Sequence, residues 1–240
     1  MNRDRREELR SRLAATDARI ESACRTAGRP RDEVTLVVVT KFFPAEDVAT
    51  LVDLGVRDIG ENRDQEARSK VEELDALLDG RAERPQVHFI GQAQRNKAGS
   101  IARYADVVHS LDRVRLAGAL DRGAEAAERT LDVLVQVDLD PVPDPDRGGV
   151  APTEVDALAA AVATLPRLRL RGVMTVAPLG MEPGLAFERL AEVAAAVRAD
   201  HPEARWISAG MSADLEEAVR HGATHLRVGT AILGSRPPHR

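Results

Sequence analysis

Lys41 is the residue in this chain with the clearest capacity for chemistry. It ends the run Val34-Thr35-Leu36-Val37-Val38-Val39-Thr40, which is aliphatic and β-branched on both faces and therefore reads as a strand buried on both sides. A lysine at the tip of such a strand is costly to desolvate unless a site uses it, and a desolvated ε-amine is a nucleophile toward carbonyl carbon. The ordinary alternative is a lysine that lays its stem on apolar surface and keeps its ammonium in water. Three other positions add chemistry of a different kind. Gly210-Met211-Ser212 and Gly229-Thr230 are small-residue turns whose amides and hydroxyls suit an anion. Arg227, two residues before the second turn, is a permanent cation.

The elements that must position these residues alternate regularly. A helix over 4–27 carries Leu9, Leu13, Ile20 and Cys24 on one stripe and is stopped by Gly28 and Pro30. Strands are then predicted at 34–41, 56–59, 87–91, 106–110, 131–139, 168–174, 205–208 and 224–229. Helices are predicted between them at 45–54, up to about 78, at 95–103, 113–129, 152–164, 183–198 and 212–221, and a short helix ends the chain. Asp140 to Gly149 is rich in Pro and Gly and reads as a surface loop, a mobile lid being the alternative. Regular βα alternation means parallel strands, and eight units in a chain of 240 residues predict one closed (β/α)8 TIM barrel, with a doubly wound open sheet as the alternative. No break in composition divides the chain, so residues 1–240 form one domain, with the helix of residues 1–30 packing on the barrel.

A barrel carries its functional residues at the C-terminal ends of its strands, commonly with a phosphate site after strands 7 and 8. The two glycine turns fall at those two places. If Lys41 points into the barrel, Val39 and Val37 do so too, while Thr40 and Val38 face the helices. An inward Arg227 sends Leu226 and Val228 outward, as their apolar character suits; an outward salt bridge is its other reading. Strands 1 and 8 are neighbours in a closed barrel, so an inward Lys41 and Arg227 would be close, and two cations at one mouth call for something anionic between them. A phosphorylated aldehyde held as a Schiff base on Lys41 satisfies all of these features.

Composition removes several other classes. Lys plus Arg number 34 against 39 Asp plus Glu, a net charge of −5, so a basic nucleic-acid face is not evident. One Trp, one Tyr and four Phe give few platforms for base stacking. The charged N-terminus lacks a signal-peptide h-region and no run is long enough to span a membrane. The single cysteine, Cys24, excludes an intrachain disulfide and fits a reducing compartment. On its apolar stripe it reads as a core residue. These features predict a cytoplasmic protein that binds neither nucleic acid nor membrane.

Six segments in order carry a resemblance: Val38-Val39-Thr40-Lys41, Gly60-Glu61-Asn62-Arg63-Asp64-Gln65-Glu66, His88 to Lys97, Arg171 to Pro178, Ser208 to Asp214, and Arg227 to Gly234. In these the chain resembles, over nearly its full length, the pyridoxal phosphate homeostasis proteins, the YggS or PROSC family. The resemblance implies a fold-type III barrel like the N-terminal domain of alanine racemase, with pyridoxal 5′-phosphate (PLP) as cofactor on Lys41. It implies Arg227 at the pyridine nitrogen, phosphate contacts from Ser212, Gly229 and Thr230, and Asn62 and Met174 lining the pocket. It also implies PLP-dependent apo-enzymes as partners. The chain departs from the family around Arg63 and Asp64, and in the Asp140–Gly149 loop, where Arg147 stands in place of a lysine.

The resemblance implies a carrier that takes part in PLP homeostasis. The enzyme alternative is an amino-acid racemase, which commonly needs a second acid/base group opposite the lysine. Alanine racemase would supply a tyrosine from a partner with an added β-domain, for which this chain has no room, so a monomer is expected. Its only tyrosine, Tyr104, lies just before strand 4, toward the wrong end of the barrel, and Cys24 lies in the first helix. An arginine at the pyridine nitrogen also makes the cofactor a weaker electron sink. A barrel metallohydrolase would rest on His88, His109 and His225. His88 and His225 lie early in their strands and His109 late, which predicts different heights, and no HxH or HExxH spacing occurs.

Overall fold

The computed structural model describes residues 3–80, 82–141 and 147–235. Eight parallel strands close into a barrel in sequential order. They are β1 (Thr35–Val39), β2 (Asp58–Glu61), β3 (Gln86–Phe89), β4 (Val107–Leu111), β5 (Leu131–Gln136), β6 (Leu168–Met174), β7 (Trp206–Ser208) and β8 (His225–Val228). The helices around them are α1 (Arg3–Ala27), α2 (Ala45–Asp53), α3 (Asp64–Leu78), α4 (Ala98–Tyr104), α5 (Val114–Ala126), α6 (Val155–Ala163), α7 (Pro183–Asp200), α8 (Leu215–Arg220) and α9 (Thr230–Leu233). The ring is sealed by β1 against β8, with Val37 opposite Arg227 and Val38 opposite Val228. The open-sheet alternative is thereby set aside.

The apolar core lies between strands and helices, where Val38, Ile59, Phe89, Val108, Leu226 and Val228 are buried. Outward strand residues meet the inward stripes of the helices, as parallel strands covered by helices require. α1 carries the predicted stripe: Leu9, Leu13, Ile20 and Cys24 are buried, and the thiol is a free core cysteine. Its polar side ties it to the barrel, Arg5 pairing with Asp47 at 2.7 Å and Arg19 with Glu216 at 2.8 Å.

Several boundaries shift by a few residues from the sequence reading, and three of the shifts bear on the site. β1 ends at Val39, so Lys41 lies in the turn beyond the strand. β5 ends at Gln136, and Val137 then bridges in parallel to Val150. α8 begins at Leu215 after an Asp214 N-cap, because Met211 to Asp214 form a turn in which the Met211 amide donates to Asp214 Oδ1 at 2.6 Å. Ser212 therefore precedes the helix and does not open it. In the Asp140–Gly149 loop, residues 142–146 lie outside the described residues, as do 236–240 of the predicted domain.

The bore is polar as well as apolar. Val107, Leu134 and Met174 form a small buried cluster against Trp206. Beside it the three histidines converge, with ring centroids 5.0 Å apart for His88 and His109, 6.2 Å for His88 and His225, and 6.4 Å for His109 and His225. This corrects the expectation of different heights. Barrel strands are tilted and staggered, so position within a strand does not give height in the bore. The ring nitrogens of His88 and His109 are all engaged: His88 Nδ1 meets His109 Nε2 at 2.8 Å, His88 Nε2 meets Asp58 Oδ1 at 3.0 Å, and His109 Nδ1 meets Ser208 Oγ at 2.9 Å. No group of three or more His, Cys, Asp or Glu suited to a metal ion occurs among the described residues.

Burial holds the His109 imidazole well below the usual histidine range and pushes His225 down to about 3. A buried histidine that stays neutral leaves the unfolded chain as the one that takes up a proton below about pH 6.5, so stability falls as pH drops from there toward 3. His225→Gln should therefore flatten the pH dependence of unfolding free energy, relative to the unsubstituted protein, by about 1 kcal/mol per pH unit between pH 6.5 and 5. Urea unfolding across that interval measures it, and parallel curves would refute it.

Candidate functional site

The C-terminal mouth is built first by a buried clamp that holds the turn carrying Lys41. Thr40 faces the helix layer, as strand parity requires, and its hydroxyl donates to Glu61 Oε1 at 2.6 Å. Lys70 of α3 donates to the same oxygen at 2.7 Å, to the Thr40 carbonyl at 2.8 Å and to Glu66 Oε1 at 3.2 Å. Glu66 Oε1 in turn accepts from the Phe42 amide. Phe42 has φ +72°, left-handed backbone that a non-glycine residue adopts only when its surroundings impose it. The clamp imposes it. Burial pushes the Glu61 carboxyl above the usual range even with Lys70 beside it, and Glu61 Oε2 is buried without a hydrogen bond. Lys41 itself is half-buried, its Nζ 5.7 Å from the Phe42 ring centre, and it pairs with no carboxylate among the described residues. Arg63 lies over the same ring at 5.5 Å. Burial of cation stems against an aromatic face contributes modestly at such a half-exposed position.

Arg227 is inward and buried, as its alternation with Leu226 and Val228 predicts. Its guanidinium crosses the bore to the ends of β6 and β7, donating to Ser208 Oγ at 2.6 Å and to the Thr175 carbonyl at 2.8 Å. No carboxylate pairs with it within ion-pair distance among the described residues; desolvation lowers it to about 10, with Asp214 the charge that opposes this. Val37 is opposite Arg227, and Lys41 lies four residues further along the chain, in the turn beyond the end of β1. The two cations thus occupy different levels of the mouth, Arg227 below and Lys41 at the rim.

The two predicted turns flank Arg227. Gly210 has φ +90°, and a Cβ there would lie 2.6 Å from that of Ala218, so only glycine lets β7 turn into the Met211–Asp214 segment. A Cβ on Gly229 would lie 3.1 Å from the Val39 carbonyl oxygen, so glycine allows β8 to end tight against β1. Ser212 is half-buried, Thr230 is exposed, and neither hydroxyl makes a hydrogen bond among the described residues. Arg19 of α1 donates to the Ser212 carbonyl at 3.2 Å, which fixes this turn from outside. Gly229 caps α9, its carbonyl accepting from Ile232 and Leu233.

Asn62 and Met174 border a cavity of about 180 Å³ at the mouth, bounded also by Gln92, Gln136, Asp138 and Arg147. Lys41, Ser212, Arg227, Gly229 and Thr230 do not line it; they form the side of the mouth made by β7, β8 and β1. Arg147 spans the rim, pairing with Asp140 at 3.3 Å and donating to the Val176 and Ala177 carbonyls at 3.0 and 3.1 Å. Tyr104 lies in the helix layer, 4 % exposed, and burial, together with the nearby Asp64 and Glu61 carboxylates, pushes its phenol up.

The sequence reading placed Thr175 and Ser208 at strand tips of this mouth but did not find Lys70 as part of the site. Lys70 sits in a charged helix four residues from Glu66, a spacing indistinguishable from a surface ion pair. The only available signal was Glu61 at a strand tip, a buried carboxylate in need of a cation.

Residues 12–237 match the family model described as alanine racemase, N-terminal domain. The chain is 48 % identical over 247 residues to the pyridoxal phosphate homeostasis protein of Mycobacterium tuberculosis, covering 97 % of this chain and 95 % of that one. It is 37 % identical over 232 residues to the protein of the same description from Escherichia coli, covering 95 % and 97 %. Among solved structures, PipY of Synechococcus elongatus with PLP bound superposes with a TM-score of 0.80 at 32 % identity, covering 94 % of this chain and all of that one.

Removing one partner of the buried clamp leaves the other charge uncompensated. Lys70→Met should destabilise the protein by about 3–5 kcal/mol in urea unfolding, and adding Glu61→Gln should restore most of that. A loss below about 1 kcal/mol in the single variant would show that the pair does not hold the turn.

Proposed function

Since the chain belongs to the pyridoxal phosphate homeostasis protein family, we propose that it holds PLP covalently on Lys41 and serves PLP homeostasis as a carrier, not as an enzyme. The observation that carries this reading is the buried guanidinium of Arg227, held by two neutral oxygens, and a lysine at the rim, neither paired with a carboxylate among the described residues. A buried cation that two neutral oxygens alone satisfy retains N–H capacity for an electron-rich acceptor.

The donor set fits the cofactor. Bound PLP supplies an aldehyde that condenses reversibly with an amine, and Lys41 is the amine placed to meet it. Arg227 offers its remaining N–H groups to the ring nitrogen. Ser212 and Thr230 have uncommitted hydroxyls for the phosphate, and Gly229 carries an amide at the N-cap of α9. Asn62 and Met174 bound the cavity on the other side. The clamp of Glu61, Lys70 and Glu66 orients the Lys41 turn without touching the ligand.

Two features favour holding over turnover. An arginine next to the ring nitrogen disfavours its protonation and so weakens the electron sink that α-carbon chemistry needs. The single tyrosine is committed to the helix layer with a phenol pushed up, which suits neither position nor charge for a second base. No described helix is long and apolar enough to cross a membrane. The reading is completed by a cytoplasmic monomer whose partners are PLP and the PLP-dependent apo-enzymes that draw on it.

Purified protein titrated with PLP should develop a visible absorption band, and borohydride reduction followed by peptide mass mapping should place the adduct on Lys41. Lys41→Ala should abolish both. Amino acids incubated with the loaded protein in deuterated water should show no α-proton exchange above that of free PLP. Exchange lost on Lys41→Ala would establish an enzyme instead.

A further inference from the structure

Below the mouth, the bore holds a continuous hydrogen-bonded row running from Arg227 to Asp58 at the opposite face of the barrel. Its members are Arg227 to Ser208 Oγ at 2.6 Å, Ser208 Oγ to His109 Nδ1 at 2.9 Å, His109 Nε2 to His88 Nδ1 at 2.8 Å, and His88 Nε2 to Asp58 Oδ1 at 3.0 Å. Ser208, His88 and His109 are fully or almost fully buried. Asp58 is 21 % exposed and borders a cavity of about 260 Å³ with Arg57 and Arg31, at the end of the bore remote from Lys41.

The direction of each bond follows from what the ends can do. A guanidinium only donates, so Ser208 Oγ accepts from Arg227. A carboxylate only accepts, so His88 Nε2 carries the proton toward Asp58. Burial keeps His109 neutral. With His88 Nε2–H directed at Asp58, the shared bond takes its proton from His109 Nε2, which donates to His88 Nδ1. His109 Nδ1 is then bare and accepts the Ser208 hydroxyl proton. Every donor has one acceptor and no proton is left over. The reverse polarity would need an extra proton at the Asp58–His88 end, and Ser208 would then accept from both sides.

We infer that Asp58, His88, His109 and Ser208 are positioning residues that hold the Arg227 guanidinium in one orientation, through a single-polarity proton row anchored by a carboxylate on the far face of the barrel. Ser208 is the joint. With its hydroxyl proton committed to His109, both its lone pairs face away from that ring, and one of them receives Arg227. The guanidinium is thereby oriented without a carboxylate next to it, so its charge stays available to a ligand in the mouth. A residue at the bottom of the bore would thus influence how firmly the mouth holds PLP. This rests on the reading that Arg227 faces PLP, and the test separates the two.

The first measurement uses no cofactor. In protein labelled with 15N-histidine, His88 and His109 should both show bare Nδ1 and protonated Nε2, and Asp58→Ala should lose that single pattern at His109. A protonated Nδ1 on either ring of the unsubstituted protein, or an unchanged pattern in the variant, would overturn the row. The second loads PLP and follows its release to an excess of apo-enzyme acceptor. Asp58→Ala and Ser208→Ala should each release PLP about tenfold faster, by analogy with the loss of outer-shell partners elsewhere. The double variant should be no faster than either, because both cut one row, whereas independent effects would multiply to about a hundredfold. Singles within about twofold of the parent, or multiplied effects, would overturn the positioning role. If the unsubstituted protein takes up no PLP, the cofactor reading falls and the histidine spectra alone decide whether the row exists.

Discussion

A guanidinium taken out of water without a carboxylate beside it is the constraint that the rest of this structure answers to. Arg227 is 5 % exposed, and its two hydrogen-bond acceptors are a serine hydroxyl and a backbone carbonyl. Desolvating a cation costs several kcal/mol that Coulomb attraction usually offsets. Here the offset is spread over dipoles: the Thr175 carbonyl, the Ser208 hydroxyl backed by two imidazoles, and Asp214 at longer range. A nearby aspartate would be the more stable solution for the isolated chain, and it would quench the charge. A site that must present positive potential to an anionic or electron-rich ligand is one of the few reasons to keep the less stable arrangement.

The opposite solution is used one layer outward. Lys70 is 6 % exposed and is given two carboxylates, Glu61 and Glu66, because its task is mechanical. It draws the ends of β1 and β2 and the start of α3 onto one ammonium, and Phe42 accepts a strained backbone as a result. Lys41, one residue from that strain, is left without a carboxylate. The same residue type thus appears twice within thirty positions, once neutralised to build the turn and once, at the rim, with no paired carboxylate among the described residues.

These differences explain how much could be read from sequence. The eight βα units were legible because buried parallel strands are continuous apolar runs and Gly or Pro marks nearly every helix stop, as at Gly28, Gly55 and Gly80. Lys41 and Arg227 were legible because an ionic residue at the end of, or alternating within, such a run violates its pattern. Gly210 and Gly229 were legible as turns, although the helix after Gly210 starts at Leu215, since the Asp214 carboxylate turns back to accept the Met211 amide and holds residues 211–214 in a turn. The bore was misread. His88, His109 and His225 share a level only because strand tilt and stagger shift the register between neighbours, which residue counting within each strand does not contain. Lys70 was invisible for a related reason: whether a charged helical residue meets solvent or a buried carboxylate depends on which face the barrel turns inward.

The closure of β1 on β8 ties these parts together. It sets Val37 opposite Arg227, which puts the arginine below the lysine and not beside it. Two cations at one level would repel across a narrow bore; separated along it, the amine at the rim and the guanidinium deeper in repel less. The ends of β6 and β7 register with His225, two residues before Arg227, and the Arg227 guanidinium reaches Thr175 and Ser208 there, Ser208 in turn reaching His109 of β4 and through it His88 of β3. One residue of slip between β1 and β8 would turn Arg227 into the helix layer, where Leu226 and Val228 now pack. The apolar character of those two neighbours therefore fixes the register, and the register fixes how the arginine lies relative to the turn that carries Lys41.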